Sequence, residues 1–232
     1  NSGDIAAAAE AFGGTTSGFY FGDAFAGAAG YVATQSGISG PLYVDGWNSG
    51  TISANAFVSA NGDGEASAAG VVLQAGSLLG SFDNEGDIVA SATASAVSAE
   101  ADAYGIVALT DGANNLTLTN SGLISAIAAA SASYGASAQA TGIAIASDGG
   151  TGTSSDVAYI YNNGGAIVAG ESEYGSPLYR GNAINLEGFT TVTGASYGAA
   201  PNAVVINLTG NNPDGRGYIT GGQYLSQLVQ DS

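Results

Sequence analysis

The chain of 232 residues contains no cysteine, methionine, histidine or lysine, and its only basic residues are Arg180 and Arg216. Without cysteine, no disulfide framework can form. Without histidine, cysteine and lysine, histidine-based acid–base catalysis and thiol or amine nucleophiles are excluded. No apolar run reaches the length of about 18 residues that a membrane-spanning helix needs, so we expect no membrane span.

Positively charged residues are also scarce. The chain carries 19 acidic residues against two basic ones, a net charge of -17. Binding to nucleic acid needs Lys or Arg contacts to phosphate, and attraction to an anionic membrane surface needs the same charge. The net charge therefore argues against both as partners, whereas cations, basic patches and neutral glycans remain.

The composition favours a location outside the cell. A chain with two basic residues offers trypsin-like proteases two sites, and the absence of sulfur leaves oxidants no Cys or Met to attack. The sequence starts at Asn1 without a basic segment followed by an apolar one, so we expect that a signal peptide has been removed. We therefore expect an extracellular or bacterial cell-surface protein.

Small side chains dominate what is present. The sequence holds 44 Ala and 38 Gly. Side chains of this size cannot fill a wide interior at native packing density. They suit two backbone layers that lie close together.

One phrase, Asn-Ser/Glu-Gly-x-Ile, recurs along the chain. It begins at residues 1, 48, 84 and 120, a degenerate copy begins at residue 162, and the spacings are 47, 36, 36 and 42. Repetition on this scale indicates a stacked array. The residues expected at the corners of the repeats are Asn48, Gly50, Asn84, Gly86, Asn120, Gly122, Asn162 and Gly164.

Each phrase is followed by a run in which Ala occupies every second position. After Ile88, for example, Ala90, Ala92 and Ala94 alternate with Ser and Thr. A period of two is the period of a β-strand that buries one face. Ala favours helix, but the period and the intervening Ser, Thr and Gly predict strands.

A second phrase, such as Gly105-Ile106-Val107, comes about halfway along each unit, and a third, such as Leu116-Thr117-Leu118, closes the unit. Each unit therefore holds about three β segments separated by Gly-containing turns. The position of the second phrase favours two coils per unit, each taking up half of it. A single long, flattened coil remains open.

The simplest fold with these features is an all-β parallel β-solenoid. We expect its Asn side chains to form a ladder along the stack, and the following glycine to adopt a positive φ at the corner. Residues 48–170 form the regular repeats, residues 1–47 form irregular Gly- and aromatic-rich first coils, and residues 171–232 form irregular last coils or a cap.

The repeats Asn-x-Gly-x-Ile-x-Ala-x-Ala, followed by Gly-Ile-x-Ile, resemble the Ala/Ser/Gly-rich passenger regions of bacterial autotransporter-type surface proteins. The resemblance covers roughly residues 48–170. It implies an extracellular right-handed β-helix with an adhesive or structural role. The chain departs from that family because no outer-membrane barrel is visible in its 232 residues.

Few residues are candidates for metal binding or catalysis. Asn61, Asp63 and Glu65 offer oxygen ligands at alternate positions, an arrangement that hard cations such as calcium prefer, although a Gly-rich turn explains them as well. The pairs Asp83 with Glu85 and Glu171 with Glu173 are the candidates for glycosidase-like chemistry. Solvated surface acids explain both pairs equally, and we expect no enzyme and no other cofactor.

Three functional hypotheses remain. The open ends of a solenoid are templates for pairing, and the repeat starts at residue 1 without a polar cap before it. The first hypothesis is therefore an extracellular subunit that self-associates head to tail into a filament or surface layer. The alternatives are a monomeric adhesin that binds glycan or another cell and a polysaccharide-acting β-helix enzyme. Self-association is assigned to Asn1, Gly3, Ile5, Tyr218, Leu225 and Leu228.

Overall fold

The computed structural model describes residues 1–13, 22–35, 41–111, 113–147, 158–174, 179–187, 203–208, 218–220 and 229–231. Every regular element in these ranges is a β-strand, which confirms the all-β prediction. The strands are β1 (Ile5–Gly13), β2 (Ala24–Thr34), β3 (Leu42–Asn48), β4 (Thr51–Ala60), β5 (Asp63–Ala75), β6 (Leu78–Asn84), β7 (Asp87–Thr110), β8 (Asn114–Asn120), β9 (Leu123–Ser147), β10 (Ala158–Asn163), β11 (Ala166–Glu173), β12 (Tyr179–Arg180), β13 (Asn182–Glu187), β14 (Ala203–Leu208), β15 (Tyr218–Thr220) and β16 (Val229–Asp231).

Strands of successive repeats lie side by side and parallel. Ile52 of β4 pairs with Ile5 of the repeat before it and with Ile88 of the repeat after it. One sheet is built on β1, β4, β7, β9 and β11, with β2, β5 and β13 continuing it, and a second has the order β16-β14-β10-β8-β6-β3. The predicted parallel β-solenoid is thus confirmed.

Each coil takes up one complete repeat. Asn48 and Asn84, which occupy the same position in successive repeats, lie next to each other, and Val71 pairs with Ile106 of the next repeat. The preference for two coils per repeat is therefore wrong. The first phrase lies on one wall of a coil, formed by β4 or the first half of β7, and the second phrase lies on the opposite wall, formed by β5 or the second half of β7. The separation between the two phrases is therefore the path from one wall to the other within a single coil.

The interior is divided into two clusters of different width. Where the first wall ends and the second begins, the two walls meet across a layer made of Ala and Val58, including Ala54, Ala66 and Ala90. Some Cα atoms of β4 and β5 lie within 8 Å of each other. Nearer β6 the space is filled by larger side chains such as Leu73, Leu78 and Phe82. The coil is therefore a wedge, narrow where Ala is buried and broad where Ile, Leu and Phe are buried. We call the narrow part the alanine seam.

The two ends of the chain differ in how far they follow this pattern. In the described parts of residues 1–47, β1, β2 and β3 pair in register with β4, β5 and β6 and form a coil of the same kind. After β11, the chain reverses, and Glu171 pairs with Tyr179 of β12 in an antiparallel arrangement. The coil that starts at β11 therefore leaves the alanine seam early.

Candidate functional site

The corner asparagines form a continuous ladder of side-chain amides. Nδ2 of Asn48 donates to Oδ1 of Asn84 at 2.8 Å, and Asn84 in turn donates to Asn120 at 2.8 Å. Asn120 donates to Asn162 at 2.7 Å. Asn48, Asn84 and Asn120 also donate to the carbonyl of the glycine two positions on, at 3.0 to 3.2 Å. The predicted ladder is present, and it satisfies amides that are at most 1% exposed.

The corner glycines serve a different purpose from the one predicted. Gly50, Gly86 and Gly122 are not among the described residues with a positive φ, so that expectation is wrong for them. A Cβ on Gly86 would lie 2.0 Å from the carbonyl oxygen of Gly50, and one on Gly122 would lie 2.0 Å from that of Gly86. Glycine is needed there because backbones of adjacent coils approach too closely for a side chain.

The degenerate repeat contains an extra residue at its corner. Nδ2 of Asn162 donates to the carbonyl of Gly165, three positions on, at 2.8 Å. A Cβ on Gly165 would lie 2.6 Å from the oxygen of Gly122, so Gly165, not Gly164, is equivalent to the other corner glycines. Gly164 has a φ of 77°, and its left-handed conformation accommodates the insertion.

The predicted self-association residues at the start of the chain lie at the first coil. Asn1 is exposed, and its Nδ2 donates to Oδ1 of Asn48 at 3.1 Å. Its own Oδ1 accepts the N–H of Gly3 at 3.1 Å, whereas Oδ1 of each later ladder residue accepts an amide from the coil before. Ile5 is partly buried against the broad core.

Of the other three residues assigned to self-association, the structure describes only Tyr218. Tyr218 begins β15, which pairs with Ala166–Val168 of β11. Leu225 and Leu228 lie outside the described residues.

The calcium candidates lie on an outer wall. Asp63 and Glu65 are exposed on β5, and the N–H of Asp63 donates to Oδ1 of Asp23 at 2.9 Å. They line an open groove of about 440 Å³ together with Asp23, Phe25 and Glu100, but Asn61 does not. In the part of the chain that the structure describes, no group of three or more acidic residues is arranged to hold a metal ion, and the calcium site stays a prediction.

Like charges meet on this outer wall. Glu65 pairs with Glu100, and Asp102 follows on the same face. Burial raises the pKa of Asp102, and the nearby charges of Glu100 and Glu65 raise it further. Burial also raises the pKa of the Tyr104 hydroxyl, with contributions from Asp102 and Glu100. The wall is thus a surface on which negative charge is unfavourable and cations would be attracted.

The two carboxylate pairs have different surroundings. Asp83 and Glu85 line a pocket of about 270 Å³ with Asn84, Thr119, Ser121 and Asn163. Glu171 and Glu173 accept backbone N–H groups of Ala140 and Ala138 through their Oε1 atoms, at 2.9 and 3.2 Å. The sequence analysis did not predict that these carboxylates accept backbone N–H groups of β9, because nothing in the local sequence indicates a partner in the preceding coil.

Aromatic residues gather on the outer face of the sheet that contains β3, β6, β8 and β10. Tyr43 and Trp47 of β3 are 77% and 48% exposed. On β10, the rings of Tyr159 and Tyr161 are nearly parallel, with centroids 6.1 Å apart. Trp47 and Tyr161 lie in the same side-chain column, separated by Asp83 and Thr119.

Fold and site together define an acidic parallel β-solenoid with an asparagine ladder. Among the described residues, no helix is long and apolar enough to cross a membrane. No protein-family model, curated protein or solved structure matches the chain. The resemblance to autotransporter passengers therefore stays a prediction.

Proposed function

We propose that the chain is an extracellular structural subunit that self-associates head to tail into a filament or surface layer. The observation that carries the proposal is the free edge of the first coil. In the described part of the chain, β1, β2 and β3 each have a parallel partner on one side only. A row of unpaired strand groups is a template for another strand.

The direction of the backbone groups identifies which residues face this edge. Asp87 donates to Gly50 of the preceding coil, and Leu123 donates to Gly86 in the same way, both at 3.0 Å. Both residues face outward, and the backbone groups of successive strand residues alternate between the two neighbours. In β1, the outward-facing residues are Ala6, Ala8 and Glu10, so their N–H and C=O groups point to the free edge.

The strand β1 has few of the features that usually prevent strand addition. Natural edges carry Lys, Pro or bulges, whereas β1 reads IAAAAEAFG and contains neither Lys nor Pro. Its one charged residue is Glu10. Phe12 is 70% exposed and Phe25 of the adjacent β2 is 62% exposed, so association would also bury apolar surface.

A second copy of the chain is the partner that fits this edge. The coils that contain β4, β7 and β9 present the same columns of Asn, Ile and Ala to one another, and coil-on-coil contact is how the chain already packs. The Asn1 end of the ladder can receive a further amide from another coil. A head-to-tail contact of this kind does not close and therefore propagates.

The test compares the chain with Ala8→Pro and with the matched control Ala8→Ser. Proline removes the N–H that faces the free edge, and edge strands tolerate it, whereas serine keeps the N–H. With rising concentration, light scattering and negative-stain imaging should show fibres for the unchanged chain and Ala8→Ser. Ala8→Pro should stay monomeric with unchanged circular dichroism.

Two results would refute the proposal. One is an unchanged chain that remains a discrete rod at every concentration. The other is an Ala8→Pro variant that forms fibres as readily as Ala8→Ser.

The aromatic outer face favours glycan binding as a second function. Tyr43, Trp47, Tyr159 and Tyr161 offer ring surfaces, with Thr119 and Asp83 between them as hydrogen-bonding groups. Trp47 is the single tryptophan of the chain, so its fluorescence reports on this face alone. Titration with neutral oligosaccharides should shift that emission, and an unchanged spectrum at millimolar sugar would dismiss this role.

A further inference from the structure

A pocket lies at the corner of three successive coils, beside the asparagine ladder. It has a volume of about 270 Å³ and is lined by Asp83, Asn84, Glu85, Thr119, Ser121 and Asn163. The side chain of Asn84 belongs to the ladder, so the other five residues give the pocket its chemistry. They lie at the ends of β6, β8 and β10 or directly after them.

The pairing of the strands brings these side chains together. Asp83 pairs with Thr119 of the next coil. Both residues precede a ladder asparagine whose side chain is buried, and Glu85 and Ser121 follow the same asparagines and are exposed. Because side chains alternate along a strand, the residues on both sides of a buried asparagine face outward. Two carboxylates of one coil therefore lie beside two hydroxyls of the next.

Most of these side chains do not hold the fold together. Four of the five have no hydrogen-bond or ion-pair partner in the described part of the chain, namely those of Asp83, Glu85, Thr119 and Asn163. The hydroxyl of Ser121 donates to a backbone carbonyl at 3.5 Å, which is long for a hydrogen bond. Two carboxylates, two hydroxyls and one amide are thus available to a ligand.

Two aromatic rings flank the pocket in the same side-chain column. Trp47 pairs with Asp83 on one side, and Tyr161 pairs with Thr119 on the other. Neighbouring strands are about 4.8 Å apart, so each ring lies next to a polar side chain of the pocket. Trp47 is exposed. An apolar ring therefore borders the hydrogen-bonding groups at each end.

The hydrogen-bonding groups select a ligand that is rich in hydroxyls. Ionised carboxylates only accept hydrogen bonds, so Asp83 and Glu85 need donors on the ligand, and such bonds are about twice as strong as those between neutral groups. The remaining hydroxyls and the amide can both donate and accept. A sugar ring meets these needs, because its hydroxyls lie at the rim and its C–H groups form an apolar face that can pack on an aromatic ring.

Charge narrows the choice of sugar. The two carboxylates of the pocket, with Asp87 exposed close by, repel an acidic sugar. A bare metal ion would use the carboxylates but not the rings at either end. A neutral sugar uses both kinds of group.

We propose that the pocket binds one neutral hexose unit of a glycan, whose neighbouring units rest on Trp47 or Tyr161. The two carboxylates accept hydrogen bonds from its hydroxyl groups, and the three neutral side chains donate to its oxygens. This role of the pocket rests on the proposed glycan-binding function and specifies which side chains select the sugar.

The test follows the pocket and the rings separately. Maltose, lactose and mannobiose, which present glucose, galactose and mannose units, are titrated to millimolar concentration against the unchanged chain and followed by NMR. The side-chain amide of Asn163 reports on the pocket, and the indole N–H of Trp47 reports on the rings. At least one disaccharide should shift both signals with the same dissociation constant, and the acidic digalacturonate should shift neither.

Three variants that each remove one negative charge show which carboxylates bind the sugar. Asp83→Asn and Glu85→Gln should each raise the dissociation constant about tenfold or more, because a hydrogen bond to a charged group is lost. Asp87→Asn is the matched control, since Asp87 is exposed at the same corner but does not line the pocket, and it should stay close to the unchanged chain. Circular dichroism checks that all three variants fold.

The outcomes distinguish the pocket from the rings. Shifts at Trp47 without shifts at Asn163, or equal affinities of Glu85→Gln and Asp87→Asn, would overturn the pocket and leave glycan binding by the rings. The absence of any shift with all three disaccharides would overturn the pocket and the glycan-binding function together. Shifts at Asn163 with calcium chloride alone, and none with sugar, would show a cation site instead and overturn the proposal.

Discussion

Gly105 packs directly against Ile124 of the next coil: a Cβ on Gly105 would lie 2.5 Å from Cγ2 of that isoleucine. The same relationship joins Gly30 to Ile52, Gly70 to Ile88 and Gly142 to Ile167, at 2.5 to 2.7 Å. The glycine of the second recurring phrase thus leaves space for the isoleucine of the first. The two phrases are opposite sides of one packing contact across the core.

Substituting Gly105 by Ala should destabilise the protein. The new methyl group would meet Ile124 and, at 2.4 Å, the carbonyl oxygen of Gly142. Because backbone cannot move aside easily, we expect a loss of about 1–3 kcal/mol in the free energy of unfolding, measured by urea denaturation. Gly135→Ala is the matched control, since a Cβ there has no neighbour within 4 Å. Equal effects of the two substitutions would contradict the packing relationship.

Removing an amide from the middle of the asparagine ladder should destabilise the protein more than removing the amide at its end. Asn84→Ala leaves Nδ2 of Asn48 and Oδ1 of Asn120 without their side-chain partner, and a buried unsatisfied group costs about 1–3 kcal/mol. Asn1→Ala should reduce the free energy of unfolding by less, because Asn1 is exposed and has one ladder neighbour. Thermal unfolding measures both, with the exposed Asn55→Ala as the control. A loss for Asn84→Ala no larger than that for Asn55→Ala would mean that the ladder does not stabilise the stack.

Much of this ladder could be predicted from the sequence, because Asn recurs once in every repeat. The same fact also indicated one coil per repeat, since the second phrase at Gly70, Gly105 and Gly142 contains no Asn to continue a ladder. The separation between the two phrases led to the wrong coil number because length alone does not distinguish a complete turn from a crossing between walls. The hydrogen bonds that Glu171 and Glu173 accept from β9 were not predictable, since they depend on where the backbone leaves the alanine seam.

Because the alanine seam is thin, the stability of the protein should be sensitive to the volume of the side chains buried in it. Ala92 is fully buried between the walls, and Ser91 next to it faces outward on the same strand. Ala92→Val should reduce the free energy of unfolding by about 1–3 kcal/mol. Ser91→Val adds an apolar β-branched residue on the outer face and should change it by less than about 0.5 kcal/mol. Denaturant unfolding of the pair checks this, and a tolerant Ala92→Val would show that the walls are not in close contact.

Asp102→Asn should stabilise the protein at neutral pH. Because burial and the neighbouring acids raise the pKa of Asp102, its charged form is less favourable in the folded than in the unfolded state. The penalty is present above the folded pKa and disappears as the pH falls below the unfolded value of about 3.8. Since Asp102 is only about half buried, solvent screening keeps the gain below about 1 kcal/mol.

Melting temperatures of the unchanged chain and Asp102→Asn, followed from neutral pH into the acid range, test this pH dependence. The variant's advantage should be greatest at neutral pH and shrink as the solution is acidified. Asp45→Asn, on the exposed face of β3 beside Ser81, serves as the control. An advantage that grows as the pH falls would have the wrong sign.

Register between coils is the relationship on which the whole account depends, and thiol cross-linking measures it most directly. The chain has no native cysteine. Asn55 pairs with Ser91 of the next coil, whereas Val72 lies outward on the opposite wall. With a short bifunctional thiol reagent, the Asn55→Cys/Ser91→Cys variant should cross-link within the monomer and Asn55→Cys/Val72→Cys should not. The reverse result would contradict a coil that takes up one complete repeat.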